Sequence, residues 1–330
     1  MSPFPGLSKH FRAAPVTEKK LRSWWRVSGG VSAYAHDRHK NLPAKTKTKT
    51  KPQNQIRPMQ TTNNPNTSNL TFGPRVSYPS LLAIATLGLT LMFNLATAHA
   101  DPQVFEASGA TPADIQAAVD GFRNFGDFGT NNGVGGTFPH GRREINWDAV
   151  PDARSAPNLL PANFFNSNSP RGVLFFTPGT GFQVSANLVN PTNTPVRFGN
   201  INHVYPALFS TFSPQRLFAA LDSTITENLF FIPGTAHAAT VRGFGAVFTD
   251  VNDDDSTKIE YFDVNGNLLF SRNVLPAPNH RGGLSFLGVA FDTASVFMVR
   301  ITSGDRILKA PNFDVVVMDD FIYGEPQALQ

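Results

Sequence analysis

The sequence predicts an all-β fold, an antiparallel β-sandwich entered through one short amphipathic helix. Three observations predict it. Downstream of residue 127, short apolar runs alternate with turn signals, the spacing of a sandwich. A clear helical period occurs only once, just before that point. The chain has no cysteine, and 25 of its 29 Phe lie in residues 101–330, so stability there has to come from a large aromatic core rather than from disulfides.

The helix is signalled at both ends. Thr111-Pro112-Ala113-Asp114 offers an N-cap, a proline at the first helical position and an acid in the first turn. Ile115, Val119 and Phe122 then share one face, and Gly126 is the expected stop. The loop signals Asn131-Asn132-Gly133 and Gly135-Gly136 follow. Strands are expected at 172–176, 181–188, 228–232, 240–250, 258–264, 267–274, 284–291, 296–302 and 313–323. The strongest is the hairpin KIEYFDV-NG-NLLFSRNV, where Asn265-Gly266 suits a two-residue turn with positive φ at both positions. Residues 215–221 are the one later stretch with helical character.

The charge is divided unevenly. Residues 1–100 carry 14 of the 28 Lys+Arg and only two acids, Glu18 and Asp37, a net +12; the remainder carries −8. The overall +4 therefore does not argue for nucleic acid, and none is expected as a partner. The apolar run Leu81–Leu95, preceded by Arg75 and followed by Ala98-x-Ala100, reads as a signal peptide within 59–100, cut after Ala100. Its 15 residues fall short of the about 20 that span a bilayer, so no membrane span is expected in the mature chain. Residues 1–58, basic and without apolar periodicity, read as an untranslated or disordered extension ahead of a start at Met59. The expected organisation is then a lead-in helix over 101–126 and a sandwich over 127–330, secreted and acidic.

The segments RGFGAVFTDVNDDDSTKIEYFDVNGNLL, GLSFLGVAFD, VRITSGD and DVVVMDDFIYGEP, with REINWDAVPD, PRGVLFFTPGTGFQVSAN and FSPQRLFAAL upstream, resemble secreted bacterial proteins that often carry PEP-CTERM sorting tails. The resemblance implies a jelly-roll sandwich of the lectin-type or galactose-binding-like kind. This chain ends at GEPQALQ without a sorting motif, which predicts release or retention by a partner.

Two clusters could carry function. In Asp250-Val-Asn252-Asp253-Asp254-Asp255, closely spaced oxygen donors suit Ca²⁺, which takes six to eight oxygen ligands. The start matches an EF-hand loop, but Asp255 stands where glycine is required and Tyr261 where a bidentate Glu is required. The jelly-roll resemblance implies instead that the loop meets an acid on the last strand, giving Asp250, Asn252, Asp254 and Asp320 as the metal set. Strand alternation puts Asp319 and Asp320 on opposite faces, so one of them at most should serve. A solvated turn explains the same loop residues. The second cluster is Arg143, Asn146, Trp147 and Asp148. An aromatic face beside guanidinium, amide and carboxylate groups suits a sugar, although a core Trp with polar edges has the same residue types.

Enzyme motifs are absent: no H-E-x-x-H, no nucleophile elbow around Ser285, no Walker or dinucleotide loop. A glycosidase carboxylate pair, about 5–9.5 Å apart, is set by the fold and has no sequence spacing. The expected function is non-enzymatic binding of extracellular carbohydrate or matrix, with structural calcium. The alternatives are a secreted glycan hydrolase or a cell-surface or biofilm component without specific ligand.

Overall fold

The structure is a computed structural model that describes residues 101–125, 129–277, 281–309 and 314–329. The expectations for the extension, the signal peptide and its cleavage after Ala100, and the helix stop at Gly126 lie outside these residues.

In chain order the elements are β1 (Gln103–Gly109), α1 (Pro112–Phe125), β2 (Arg142–Ile145), α2 (Phe164–Ser167), β3 (Val173–Phe176), β4 (Gly181–Val184), α3 (Tyr205–Leu208), β5 (Phe218–Leu221), β6 (Ile225–Phe230), β7 (Ala239–Thr240), β8 (Gly243–Thr249), β9 (Lys258–Phe262), β10 (Leu268–Asn273), β11 (Leu284–Ala290), β12 (Met298–Thr302), β13 (Val317–Gly324) and β14 (Gln327–Ala328). A 3-10 turn covers Asp152–Arg154. Among the described residues, one seven-stranded sheet runs β1-β11-β8-β13-β5-β4, with β2 also on β13, and a five-stranded sheet runs β10-β9-β12-β6-β3. Paired strands in both are antiparallel.

Numbering only β5, β6, β8, β9, β10, β11, β12 and β13, the large sheet contains first-eighth-third-sixth and the small sheet second-seventh-fourth-fifth. That interleaving of two Greek keys is a jelly roll. Its interior follows from strand parity. Phe244, Ala246 and Phe248 of β8, Leu287 and Val289 of β11, and Phe321 and Tyr323 of β13 meet Ile259 and Tyr261 of β9 and Val299 and Ile301 of β12. The opposite parity of the large sheet (Val247, Leu284, Phe286, Ile322) packs against Ile115, Val119 and Phe122 of α1.

The helix begins as its sequence signals. The Asp114 carboxylate accepts from the Thr111 backbone N–H at 2.8 Å, one half of a capping box. Gly288 lets the helix approach: a Cβ there would lie 2.7 Å from the Phe122 ring. Gly288→Ala should therefore destabilise the protein by about 1–3 kcal/mol through overpacking, read as a lower midpoint in chemical unfolding. An unchanged midpoint would show that α1 is not held tightly on the sheet.

Nine expected strand regions are strands. Three others correct the sequence reading. Residues 103–109, taken as lead-in, form β1 and pair along their whole length with β11 at the sheet edge. Residues 142–145 form β2. The stretch 215–221 is not helical: Phe218–Leu221 is β5, paired with β4 and buried between neighbours, so tertiary packing overrides a weak local period. The Asn265-Gly266 turn is also longer than two residues. Asp263 Oδ1 accepts from the N–H groups of Asn265 and Asn267, and only Gly266 takes positive φ (85°), the pattern of a three-residue hairpin loop. No helix among the described residues is long and apolar enough to cross a membrane.

Candidate functional site

Strand β2 separates the expected sugar-binding residues by parity. Trp147 follows Ile145 into the core and is 1% exposed. Its ring stacks on Phe218 at 4.1 Å and meets Phe321 edge-on at 5.1 Å, and its indole N–H donates to the Asp319 carbonyl at 2.7 Å. Core rings cover its faces. Arg143 is fully buried, donating through Nε and Nη2 to both oxygens of Glu325 at 2.8 and 2.6 Å and through Nη1 to the Val134 carbonyl at 2.7 Å. It ties the loop before β2 to the chain end. Asp148 Oδ1 accepts from the backbone N–H groups of Gln215 and Arg216, so it holds the turn into β5. Burial raises its carboxyl pKa, with those N–H bonds pulling the other way. Of the four, Asn146 lines the cavity on the outer side of β2, and Asn146 and Trp147 both line a smaller one beside α2.

That cavity, about 400 Å³, is lined by Arg123, Asn132, Glu144, Asn146, Arg171, Phe212, Ser213 and Asp320. It forms where the end of α1 meets the outer side of β2 and β13. Packing of Ile115, Val119 and Phe122 sets the rotation of α1, and its last turn delivers Arg123. The Arg123 guanidinium forks onto Glu144 (Nε–Oε1 3.2 Å, Nη2–Oε2 3.0 Å) and lies 3.7 Å from Asp320 Oδ2. Glu144 has the parity opposite to Arg143 and Ile145, so it faces outward. Its backbone N–H donates to Asn132 Oδ1 at 2.9 Å, and Arg142 is a second ion-pair partner of its carboxylate.

The floor is made by a β-bulge. The register of β13 on β8 slips between Met318 and Phe321, both of which face the core. Two residues, Asp319 and Asp320, thus occupy an interval that regular alternation gives to one. The expectation of opposite faces fails for this reason, and both carboxylates reach the same hydroxyl: Ser213 Oγ is 2.7 Å from Asp320 Oδ1 and 3.3 Å from Asp319 Oδ1. Asp319 Oδ2 also accepts from the Phe212 N–H at 2.7 Å. Asp319 is fully buried and Asp320 is 3% exposed.

Burial, reinforced by the charge of Asp320, pushes the Asp319 carboxyl far above the usual carboxylate range. Burial also raises Asp320, to about 6, against the opposing pull of Ser213 and Arg123. Near neutral pH the pair retains a proton, because two carboxylates this close do not ionise together without cost. A serine hydroxyl has one proton to give. It donates to one carboxylate and can accept from the protonated other.

The expected calcium set is not assembled. Asp250 Oδ1 accepts from the Gly282 N–H, and Asn252 donates from its backbone N–H and its side chain to Asp314 Oδ1. Asp254 is exposed, and Asp320 belongs to the Ser213–Arg123 neighbourhood instead. Among the described residues, no group of three or more His, Asp or Glu is placed to hold a metal ion. Burial and the nearby charge of Asp314 raise the Asp250 carboxyl.

A second cavity of about 250 Å³, between β2 and α2, shares Asn146 and Arg171 with the first and is lined also by Trp147, Pro151, Phe164, Asn168 and Ser169. Arg123, Asn132, Glu144, Arg171 and Ser213 escape a reading by sequence motif because they come from five separate segments. The parity of Glu144 and Asn146 on one strand is the signal that points to the outer face.

No family model matches the chain, and no curated protein matches it. Among solved structures it is similar to the enzymatically active domain of tailspike protein 4 of bacteriophage CBA120. The likeness has 14% identity and a TM-score of 0.23, and covers 50% of this chain and 20% of that one. At that level it carries no argument about fold or function.

Proposed function

We propose that this is an exported protein that binds extracellular carbohydrate in the pocket between Glu144 and Asp320. The observation that carries the reading is the lining itself. Guanidinium, carboxylate, amide and hydroxyl groups converge on one cavity of about 400 Å³ with one aromatic ring, Phe212, at its wall. Sugar hydroxyls both donate and accept, so acceptors such as Glu144 and Asp320 beside donors such as Arg123 and Asn146 suit them, while Phe212 offers an apolar surface to the ring. Export rests on the signal-peptide pattern of residues 59–100.

Retention on immobilised polysaccharides, with parallel assay of new reducing ends, tests the reading. Wild-type protein should be retained by at least one polysaccharide without generating ends. Hydrogen bonds to charged groups contribute about 1.5–3 kcal/mol, so Glu144→Gln should weaken retention about 10- to 100-fold in protein that still unfolds cooperatively. A blank panel at high protein concentration would contradict carbohydrate binding and favour a structural role.

One observation favours a second reading, hydrolysis. Asp320, held protonated up to a pH of about 6, lies with Glu144 beside the same Arg123 guanidinium. A carboxylic acid beside a second carboxyl group is the arrangement that glycoside hydrolysis uses. Turnover that Asp320→Asn abolishes, with binding retained, would establish it.

A further inference from the structure

We propose that the sugar taken by this pocket is acidic, with its carboxylate held by Arg171; this rests on the carbohydrate-binding reading above. Arg171 sits at the junction of the two cavities and lines both. Its Nε donates to the Glu144 carbonyl at 2.8 Å, its Nη1 to Ser169 Oγ, and its guanidinium lies over the Phe165 ring, 5.3 Å from the centroid. These contacts fix the plane of the fork. A guanidinium has five N–H donors, so three are left for a ligand.

What the fork lacks is a counter-charge. Arg123 has Glu144 and Asp320, and Arg143 has Glu325. Arg171 forms no ion pair with any acidic side chain among the described residues, although it is half-buried. The energetic sign agrees: burial lowers its pKa, and the like charge of Arg143 adds to this against the opposing pull of Tyr323. A partly desolvated cation without a partner is unfavourable in the free protein, and a bound anion relieves it. Planar guanidinium groups match carboxylates in a two-point fork, which a neutral hydroxyl does not reproduce.

The neighbouring groups say which anion. Glu144 and Asp320 on the adjoining wall repel a densely anionic ligand such as a free phosphate, but they accept from hydroxyls. One carboxylate on a polyhydroxylated ring, a uronic-acid unit, satisfies both sides.

Isothermal titration of the full chain at pH 7 with an oligogalacturonate, its carboxyl-reduced neutral counterpart, and a sulfated neutral oligosaccharide decides it. The acidic oligosaccharide should bind at least tenfold tighter than the reduced one, and added salt should erode that difference. Arg171→Gln should bring the two affinities together, and Arg171→Lys should restore part of the gap. Equal affinity of the acidic and reduced sugars, or a gap that Arg171→Gln leaves intact, would overturn the assignment while leaving carbohydrate binding standing. Tightest binding of the sulfated sugar would overturn the choice of carboxylate. No binding of any sugar would overturn the pocket reading and this inference with it. Should Arg171→Gln not fold, the ratio for Arg171→Lys decides, because lysine keeps the charge and loses the fork: an undiminished ratio would overturn the forked contact.

Discussion

Glu325→Ala should destabilise the protein by about 3–5 kcal/mol, the cost of stranding a buried charge. Arg143 is fully buried and its partner's side chain is 2% exposed, with two charge-assisted hydrogen bonds at 2.8 and 2.6 Å between them. Removing the carboxylate leaves a guanidinium that water does not reach. The remaining donors of Arg143 already serve the carbonyls of Val134, Gly136 and Pro170. Arg143→Ala should destabilise similarly by leaving Glu325 unpaired beside Asn131, whose amide is its other side-chain donor. Replacing both by a size-matched apolar pair should recover only part of the loss: the two charges leave together, but the carbonyls that Arg143 serves lose its donors. Urea unfolding of the single and double variants measures all three. Single-variant losses under 1 kcal/mol would mean that water enters this end of the sandwich.

The second large effect is a pH dependence with an unusual sign. Acids whose pKa is raised on folding stabilise the native state when protonated, and that contribution is lost as pH rises through the folded value. For Asp320 the window runs from about 4, the unfolded value, to about 6, the folded one. A shift of that size corresponds to a loss on the order of 3 kcal/mol across the window. Asp319 acts in the same direction at higher pH, since burial and Asp320 both favour its protonated form. Asp263 opposes them only at lower pH, because its hydrogen bonds to Asn265 and Asn267 depress its pKa. The clean observable is therefore the difference between wild type and Asp320→Asn. The variant should gain stability relative to wild type between pH 4 and 7, and the gap should level off above that range. A gap independent of pH would show that Asp320 does not hold its proton in the folded protein.

The buried pair and the bulge also explain what could be read from the chain. Alternation with turn residues placed nine strand regions, since strand parity and turn chemistry are local properties. It missed β1, β2 and β5 because each is short or lies beside stronger signals. Their strand character comes from partners distant in sequence: β11 for β1, β13 for β2, β4 for β5. The site was legible only in fragments. Asn146 and Asp320 were named as candidates, but for two different ligands, and the structure brings them to one pocket. Trp147 was the natural aromatic choice for a sugar, yet the odd parity of β2 sends it inward with Ile145 and its N–H to the Asp319 carbonyl. The Asp319–Asp320 pair depends on a bulge, a one-residue slip that no residue pattern in VVMDDFIYG announces.

On the proposed reading, one patch at the bulge receives the ligand. Chemical-shift mapping of the backbone amides during titration with an acidic oligosaccharide tests it most directly. The shifts should concentrate at Asn132, Asn146, Phe212, Ser213 and Asp320, with the Asp250–Asp255 loop silent. Shifts concentrated at that acidic loop, or scattered over the five-stranded sheet, would contradict it.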